Sequence, residues 1–189
     1  MAADGNTRGS IAFFTTYRPP LPLDIFSCPI PTKGDELPMT DGQSYNYNGH
    51  FIPPTALKTI LKSLNLASKG TFIDSDVDSG QLLGIVFVSE RDNLETLHIA
   101  LLFRGNTTTP VVVEPKVQVF SLAQVFGITE FHGVRMEDSG CFSSDYIFYV
   151  TTKDPAPSRR QPWTAVYKTH FITGNTERLT PPGSFPHLD

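Results

Sequence analysis

The stretch Leu83-Gly-Ile-Val-Phe-Val-Ser-Glu-Arg-Asp-Asn-Leu-Glu-Thr-Leu-His-Ile-Ala-Leu101 decides the fold class of this chain. Two runs rich in apolar and β-branched residues, 83–89 and 94–101, flank the polar turn 90–93. Short apolar runs bounded by turn residues are typical of β-strands, and two of them joined by a short polar turn predict an antiparallel hairpin.

Similar short strand patterns lie on both sides of this hairpin. They cover 11–16, 23–28, 36–40, 111–113, 117–120, 146–152, 163–171 and 177–180, while 44–51 is interpreted as a loop that enters a strand. The chain also has 14 glycines and 16 prolines in 189 residues, which favours many short strands and turns over long helices. The sequence therefore predicts an all-β protein, with 121–142 left undecided.

One supersecondary pattern recurs three times along the chain. Each copy has an aromatic or β-branched strand, a polar turn, an alternating strand, a glycine turn and a short strand that ends in threonine. The copies are centred on 11–42, 85–101 and 146–183. Self-similar antiparallel units of this kind are typical of propeller blades.

The residues of these copies resemble the TolB-type β-propeller repeat. The nearest resemblance is to plant TolB-related proteins, which are themselves similar to the N-terminal propeller of dipeptidyl peptidases. The resemblance implies an end-of-blade motif, an Asn-rich strand start and a turn between inner strands. The residues that match this repeat motif are Thr40, Asp41, Gly42, Asn46, Asn48, Ser89, Glu90, Arg91, Asp92, Leu179, Thr180 and Pro181, with Met39 where the family usually has leucine.

The resemblance implies a partial β-propeller over 10–189, preceded by a disordered leader at 1–9. We count three blades, whereas closed propellers have about four or more. Residues 52–82 are expected to form a helical and acidic insertion in the second unit. Open blade edges of this kind also suggest self-association.

The insertion contains the one clear helix pattern. Leu57, Ile60, Leu61 and Leu64 are spaced as one helical face, with Thr55 as the expected N-cap. The acidic stretch 74–78 is expected to be a solvated loop. It fails as an EF-hand because its sixth and twelfth positions, counted from Asp74, are Ser79 and Ile85 instead of Gly and Glu.

The sequence offers no strong catalytic, metal or cofactor site, and we expect none. It has no Gly-x-Ser-x-Gly nucleophile elbow, and its histidines are scattered. Cys28 and Cys141 are in no metal-binding spacing. We expect two buried free thiols, and the alternative is a disulfide between them. Asp41, Glu90 and Asp92 are candidate glycosidase carboxylates, but turn carboxylates usually bind nearby backbone.

Charge and hydropathy limit the partners. The formal net charge is −4, and no basic stripe suggests nucleic acid. No apolar run reaches the ~18 residues of a membrane span, and no secretory signal is visible, so a cytoplasmic location is expected. The predicted function is a non-catalytic scaffold that binds a protein or glycan through 55–64 and 74–78. The alternative is a remnant of a propeller from a peptidase-type or carbohydrate-active enzyme.

Overall fold

A computed structural model of the chain describes residues 9–15, 23–30, 36–62, 74–91, 93–104, 116–127, 136–154 and 164–181. These residues form eleven strands and three short helices. The strands are β1 (Gly9–Thr15), β2 (Asp24–Ile30), β3 (Leu37–Pro38), β4 (Asn46–Phe51), β5 (Leu82–Arg91), β6 (Leu94–Phe103), β7 (Lys116–Ser121), β8 (Glu137–Ser143), β9 (Tyr146–Thr151), β10 (Ala165–His170) and β11 (Thr176–Arg178). The helices are α1 (Pro54–Leu61), α2 (Asp74–Asp78) and α3 (Leu122–Phe126).

The strands form three separate antiparallel sheets in which sequence neighbours are also spatial neighbours. The first sheet contains β1 to β3, the middle sheet β4 to β7, and the third sheet β8 to β11. Every strand pairing within them is antiparallel. The prediction of an all-β fold is therefore confirmed, and each sheet contains strands of one copy of the pattern seen in the sequence, although β4, β7 and β8 lie outside those copies.

The middle sheet lies between the other two and is buried on both faces. One face carries Ile85 and Phe87 and packs against Ile25 and Met39 of the first sheet. The opposite face packs against the third sheet and α1, and its buried residues are Val86, Val88, Leu97, Ile99 and Leu101. Burial on both faces explains why β5 is an almost unbroken apolar run instead of an alternating one.

Helix α1 packs on the middle sheet as its apolar pattern predicts. Its buried residues are Ala56, Leu57, Ile60 and Leu61. Gly84 allows this contact, because a Cβ there would lie 2.9 Å from Leu57 Cδ1. The prediction of Thr55 as N-cap was wrong: the helix begins at Pro54, whose missing N–H costs nothing in the first turn.

The acidic stretch 74–78 is helical, so the prediction of a loop there was wrong. Two lysines pair with this segment. Lys58 of α1 has its Nζ 2.6 Å from Asp78 Oδ1, and Lys62, the C-cap of α1, has its Nζ 3.1 Å from Asp74 Oδ2. Val77 is buried and anchors α2 to the core. The insertion thus neutralises much of its own acidic charge.

Several other predicted boundaries differ in detail. The β5–β6 ladder extends to the pair Arg91 and Leu94, so the connection has two residues instead of four. The undecided region 121–142 contains α3 and most of β8. β1 begins at Gly9, one residue inside the predicted leader, while 1–8 and the predicted strand 111–113 lie outside the described residues.

Candidate functional site

The most distinctive local geometry lies where one sheet meets the next, at the start of β4 and of β8. Each of these strands carries one extra residue relative to its partner, between Tyr47 and His50 in β4 and between Asp138 and Cys141 in β8. Asn48 and Ser139 occupy the same place in these two bulges, with φ values of 50° and 51°. The two strands are therefore the same structural unit, repeated along the chain.

A glycine follows each of these bulge residues and lets the strand approach the preceding sheet. A Cβ on Gly49 would lie 2.9 Å from Ile25 Cδ1 of the first sheet. A Cβ on Gly140 would lie 2.8 Å from Leu97 Cδ2 of the middle sheet. The junction between the first and middle sheets (the first junction) and that between the middle and third sheets (the second junction) thus share one backbone device.

A second repeated feature satisfies the backbone N–H of the second residue of β2 and of β10. The Ile25 N–H donates to Thr40 Oγ1 over 3.2 Å, and Ile25 O accepts from Met39 N–H over 2.8 Å. Val166 N–H donates to Thr180 Oγ1 over 3.1 Å, and its carbonyl accepts from Leu179 N–H over 2.8 Å. The Met39-Thr40 and Leu179-Thr180 pairs of the repeat motif therefore bind equivalent backbone groups in the first and third sheets.

At the first junction, Asn46 is the centre of a polar network. It is fully buried, its Nδ2 donates to Asp24 Oδ1 over 3.1 Å, and its Oδ1 accepts from Ser89 Oγ over 2.8 Å. Its backbone N–H also donates to the carbonyl of Leu23 over 2.8 Å. Asn46 therefore ties the middle sheet to the first sheet with both side chain and backbone.

The network extends to the surface through Arg91. Arg91 Nε donates to Ser89 Oγ over 2.9 Å, and Arg91 Nη2 lies 2.5 Å from Asp41 Oδ1. At the other end, the Thr40 hydroxyl donates to Asp24 Oδ1. Burial raises the pKa of Asp24, while the hydrogen bonds that it accepts from Asn46 Nδ2 and from the Ile25 N–H oppose the rise.

At the second junction, Glu137 stands in the position of Asn46. It opens β8 and pairs with Thr151, as Asn46 opens β4 and pairs with Ser89. Glu137 is 1% exposed, and its Oε2 accepts the Leu97 N–H over 2.9 Å. Its Oε1 is buried and has no hydrogen-bond partner among the described residues. Burial raises the pKa of Glu137 from its ordinary 4.5 to about 7.

The rim of the second junction is acidic. Asn48 Nδ2 donates to Asp138 Oδ1 over 2.8 Å and so links β4 to β8. Burial first, and then the nearby carboxylates of Glu95, Glu90 and Asp138, raise the pKa of Tyr47 to about 12. The Tyr47 phenol therefore stays protonated at neutral pH.

The structure brings five of the predicted motif residues together at the first junction: Thr40, Asp41, Asn46, Ser89 and Arg91. Gly42 lies beside them with φ of 67°, and Asn48 bridges the second junction instead. Glu90 is exposed at the end of β5, with its carbonyl accepting from Ser44 Oγ over 2.5 Å. Leu179, Thr180 and Pro181 follow β11, and Asp92 lies outside the described residues.

Sequence reasoning missed Asp24 and Glu137. The signal for Glu137 was available in the alignment of Asn46-Tyr-Asn-Gly-His-Phe51 with Glu137-Asp-Ser-Gly-Cys-Phe142, which share glycine and phenylalanine at the same spacing. From the sequence, the first segment is interpreted as a loop entering a strand, and the second lies in the undecided region 121–142. A buried carboxyl is therefore not predicted.

The outer face of the third sheet, which is the side turned away from the middle sheet, is only partly buried, although Val150 on it is 8% exposed. Strand pairing places Phe148 beside Lys168, Val150 beside Val166, and Tyr146 beside His170 on this outer face. The equivalent pairs of the middle sheet are Val86 with Ile99, Val88 with Leu97, and Gly84 with Leu101, all buried. Tyr146 is 37% exposed and Leu179, just after β11, is 41% exposed.

Metal and thiol chemistry finds little support in the described part of the chain. No group of three or more His, Cys, Asp or Glu side chains there could hold a metal ion. Cys28 and Cys141 are free thiols, half-buried and exposed respectively, so the prediction of burial was wrong for Cys141. His98 is buried in β6 with Nδ1 3.0 Å from the carbonyl of Thr96.

No protein-family model, curated protein or solved structure matches this chain. Within the described residues, no helix has the length and apolar character needed to cross a membrane. The features that bear on function are therefore the fold and the two junctions.

Proposed function

We propose that this chain is a non-catalytic interaction scaffold built from propeller-type blades. Three antiparallel sheets, stacked face to face and joined by the same bulge and glycine, support that proposal. Stacked units of this kind bury a shared core and present their loops and terminal faces to partners. The TolB-type resemblance of the motif residues points the same way.

The candidate carboxylates have structural partners, which supports a non-catalytic role. Asp41 is paired with Arg91, and Asp24 accepts bonds from Thr40 and Asn46. Glu90 is exposed, whereas the general acid of a glycosidase needs a buried, apolar environment. These groups hold the sheets together instead of facing a shared substrate position.

The outer face of the third sheet is the surface that we propose for binding. The helical insertion, which the sequence had suggested, buries its apolar residues against the middle sheet and pairs Lys58 and Lys62 with α2. The outer face instead combines exposed Tyr146 and Leu179 with Phe148. Aromatic side chains of this kind supply much of the energy of protein interfaces.

The expected occupant is a protein surface with an apolar centre and at least one carboxylate. The apolar part would cover Phe148 and Val166, as the third sheet covers the equivalent residues of the middle sheet. We expect a carboxylate because Lys168 lies at the centre of the face and its pairing with Glu177 Oε2, over 2.9 Å, involves a glutamate side chain that is itself 64% exposed. Burying that lysine without a partner would be costly.

A matched pair of photo-cross-linking sites tests this assignment. We would place a photoreactive phenylalanine at Tyr146, and separately at Tyr45, which is 55% exposed but lies outside this face. A discrete cross-linked protein is expected from position 146 alone. That protein, purified, should bind the wild-type chain and lose about tenfold or more in affinity for Phe148→Asp, since a charge would replace an apolar contact.

Lys168→Glu provides the second arm. A partner that meets Lys168 with a carboxylate should lose binding to this variant and regain it when its own carboxylate is changed to lysine. A purified partner that binds wild type, Phe148→Asp and Lys168→Glu equally would overturn the assignment of the face. Hydrolysis of a peptide or glycoside by the purified chain would overturn the non-catalytic role itself.

A further inference from the structure

We propose that Glu137 makes the second junction a pH-responsive latch, which holds the third sheet on the middle sheet more loosely when this carboxyl ionises. The inference does not depend on the scaffold function. It rests on the position of Glu137, on the one bond that it makes, and on the oxygen that it leaves unpaired inside the protein.

The Leu97 N–H needs a partner because β6 extends beyond β7. The β6–β7 ladder ends at the pair His98 and Ser121, after which the chain turns into α3. The equivalent N–H of Val166 in the third sheet donates to Thr180, and that of Ile25 in the first sheet is shared between Thr40 and Asp24 Oδ1. In the middle sheet, Ser121 caps α3 by accepting from Gln124 N–H, and Glu137 of the third sheet reaches across to Leu97.

The bond to Leu97 is therefore a contact between two sheets, unlike the two threonine bonds. It lies beside the bulge whose Gly140 packs against the side chain of the same Leu97. Movement of β8 away from β6 would break the hydrogen bond and the packing together. The state of one carboxyl thus affects the whole start of the third sheet.

Among the described residues, no cation lowers the pKa of Glu137. On β6, Glu95 is exposed and lies next to Met136 through an isolated bridge, while the His98 ring is tilted against Phe87 with ring centroids 6.0 Å apart. On β8, Asp138 accepts from Asn48, and on β4, Tyr47 remains a neutral phenol. On β5, Arg91 is paired with Asp41, and on β9 the ionisable groups are the phenols of Tyr146 and Tyr149. Burial is what disfavours the Glu137 anion, and the Leu97 N–H opposes this effect.

The direction of the pH response follows from burial. The neutral acid is favoured in the folded protein, and its pKa there is about 7 against 4.5 ordinarily. Docking of the third sheet is then strongest below pH 4.5 and weakens as the pH rises through about 7. Each pKa unit corresponds to a tenfold change, so local opening should increase by roughly two orders of magnitude across this range.

Amide exchange at Leu97 tests the latch directly, because this is the N–H that Glu137 accepts. Protection factors, corrected for the intrinsic pH dependence of exchange, would be measured by NMR from pH 5 to 8. Wild type should lose protection at Leu97 as the pH rises, while Val166, which the Thr180 hydroxyl caps, should change little. Glu137→Gln should abolish the pH dependence and retain the fold.

Glu95→Gln is the matched control, since Glu95 is exposed on the neighbouring strand. This variant should behave as wild type. The latch is refuted if Leu97 protection is independent of pH in wild type, or if Glu137→Gln shows the same pH dependence as wild type. Should Glu137→Gln fold poorly, a titration of the wild-type carboxyl by carbon-detected NMR replaces it, and a Glu137 pKa near 4.5 would also refute the latch.

Discussion

The two junctions of this molecule share a backbone and differ in chemistry. Both have a bulge with a left-handed residue and a glycine that fits against the preceding sheet. At the first junction Asn46 satisfies both ends of its amide with Asp24 and Ser89. At the second, Glu137 makes one bond and leaves one oxygen unpaired.

This difference shows which part of the repeat is fixed by geometry. The close approach of two sheets requires glycine and a bulge, so Gly49 and Gly140 recur. The first residue of the strand only needs to reach a polar group of the preceding sheet. An amide can do so at any pH, whereas a carboxyl makes the contact sensitive to protonation.

The largest effect is expected from filling the glycine positions. Gly140→Val should destabilise the fold by about 4 kcal/mol. The new Cβ would clash with three methyl groups within 3.0 Å, two of Leu97 and one of Val86. Gly49→Val should cost about 2 kcal/mol, since it meets the movable end of one side chain, Ile25. Urea unfolding measures both, and the reverse order would contradict the tighter second junction.

Raising the pH should affect the two junctions differently. Glu137, with a pKa of about 7 in place of 4.5, contributes stability that is present below pH 4.5 and lost above about 7, on the order of 3 kcal/mol in all. Urea unfolding midpoints from pH 4.5 to 8 would show this decline. Glu137→Gln should remove most of it, and an unchanged decline in that variant would assign it to other groups.

Asn46→Ala should cost about 2 kcal/mol at neutral pH, because it removes one buried hydrogen bond from Asp24 and one from Ser89. Asn46→Asp is the informative second variant. It reproduces the charge of Glu137 beside Asp24 and should convert the first junction into a pH-sensitive one. A stability of Asn46→Asp that does not depend on pH would show that the network can absorb the charge.

The smallest effect concerns the two threonine caps. Thr40→Val and Thr180→Val each remove one hydroxyl that accepts a backbone N–H, and each should cost about 1 kcal/mol. Thr40→Val should cost slightly more, because that hydroxyl also donates to Asp24. Thermal unfolding compares the pair, and a negligible loss in either would end the structural equivalence that we assign to them.

The strands and their grouping could be predicted because period, turn residues and repetition are local signals. The hairpin at 83–101 and the three copies of one pattern appear in the fold as three antiparallel sheets. Helix α1 was visible from its apolar spacing, although proline, not Thr55, begins it. Its boundary depended on a backbone preference that apolar spacing does not contain.

The features that the sequence did not reveal depend on contacts distant along the chain. Helix α2 has five residues, and its acidic composition suggests a loop. It is held by contacts outside itself, namely Lys58, Lys62 and the burial of Val77. The bulges depend on the partner strand, and a glutamate such as Glu137 is ordinarily exposed. Glu137 is buried where it accepts the Leu97 N–H, which lies forty residues earlier and has no partner on β7.

Lys168 has a consequence for how the three sheets find their order. It occupies the position that Ile99 holds in the middle sheet, with His170 in the position of Leu101. Modules with similar sequences are prone to assemble in the wrong sequence while they fold. Burial of this lysine inside the stack would be costly without a charged partner. The third sheet is therefore disfavoured in the place of the middle one.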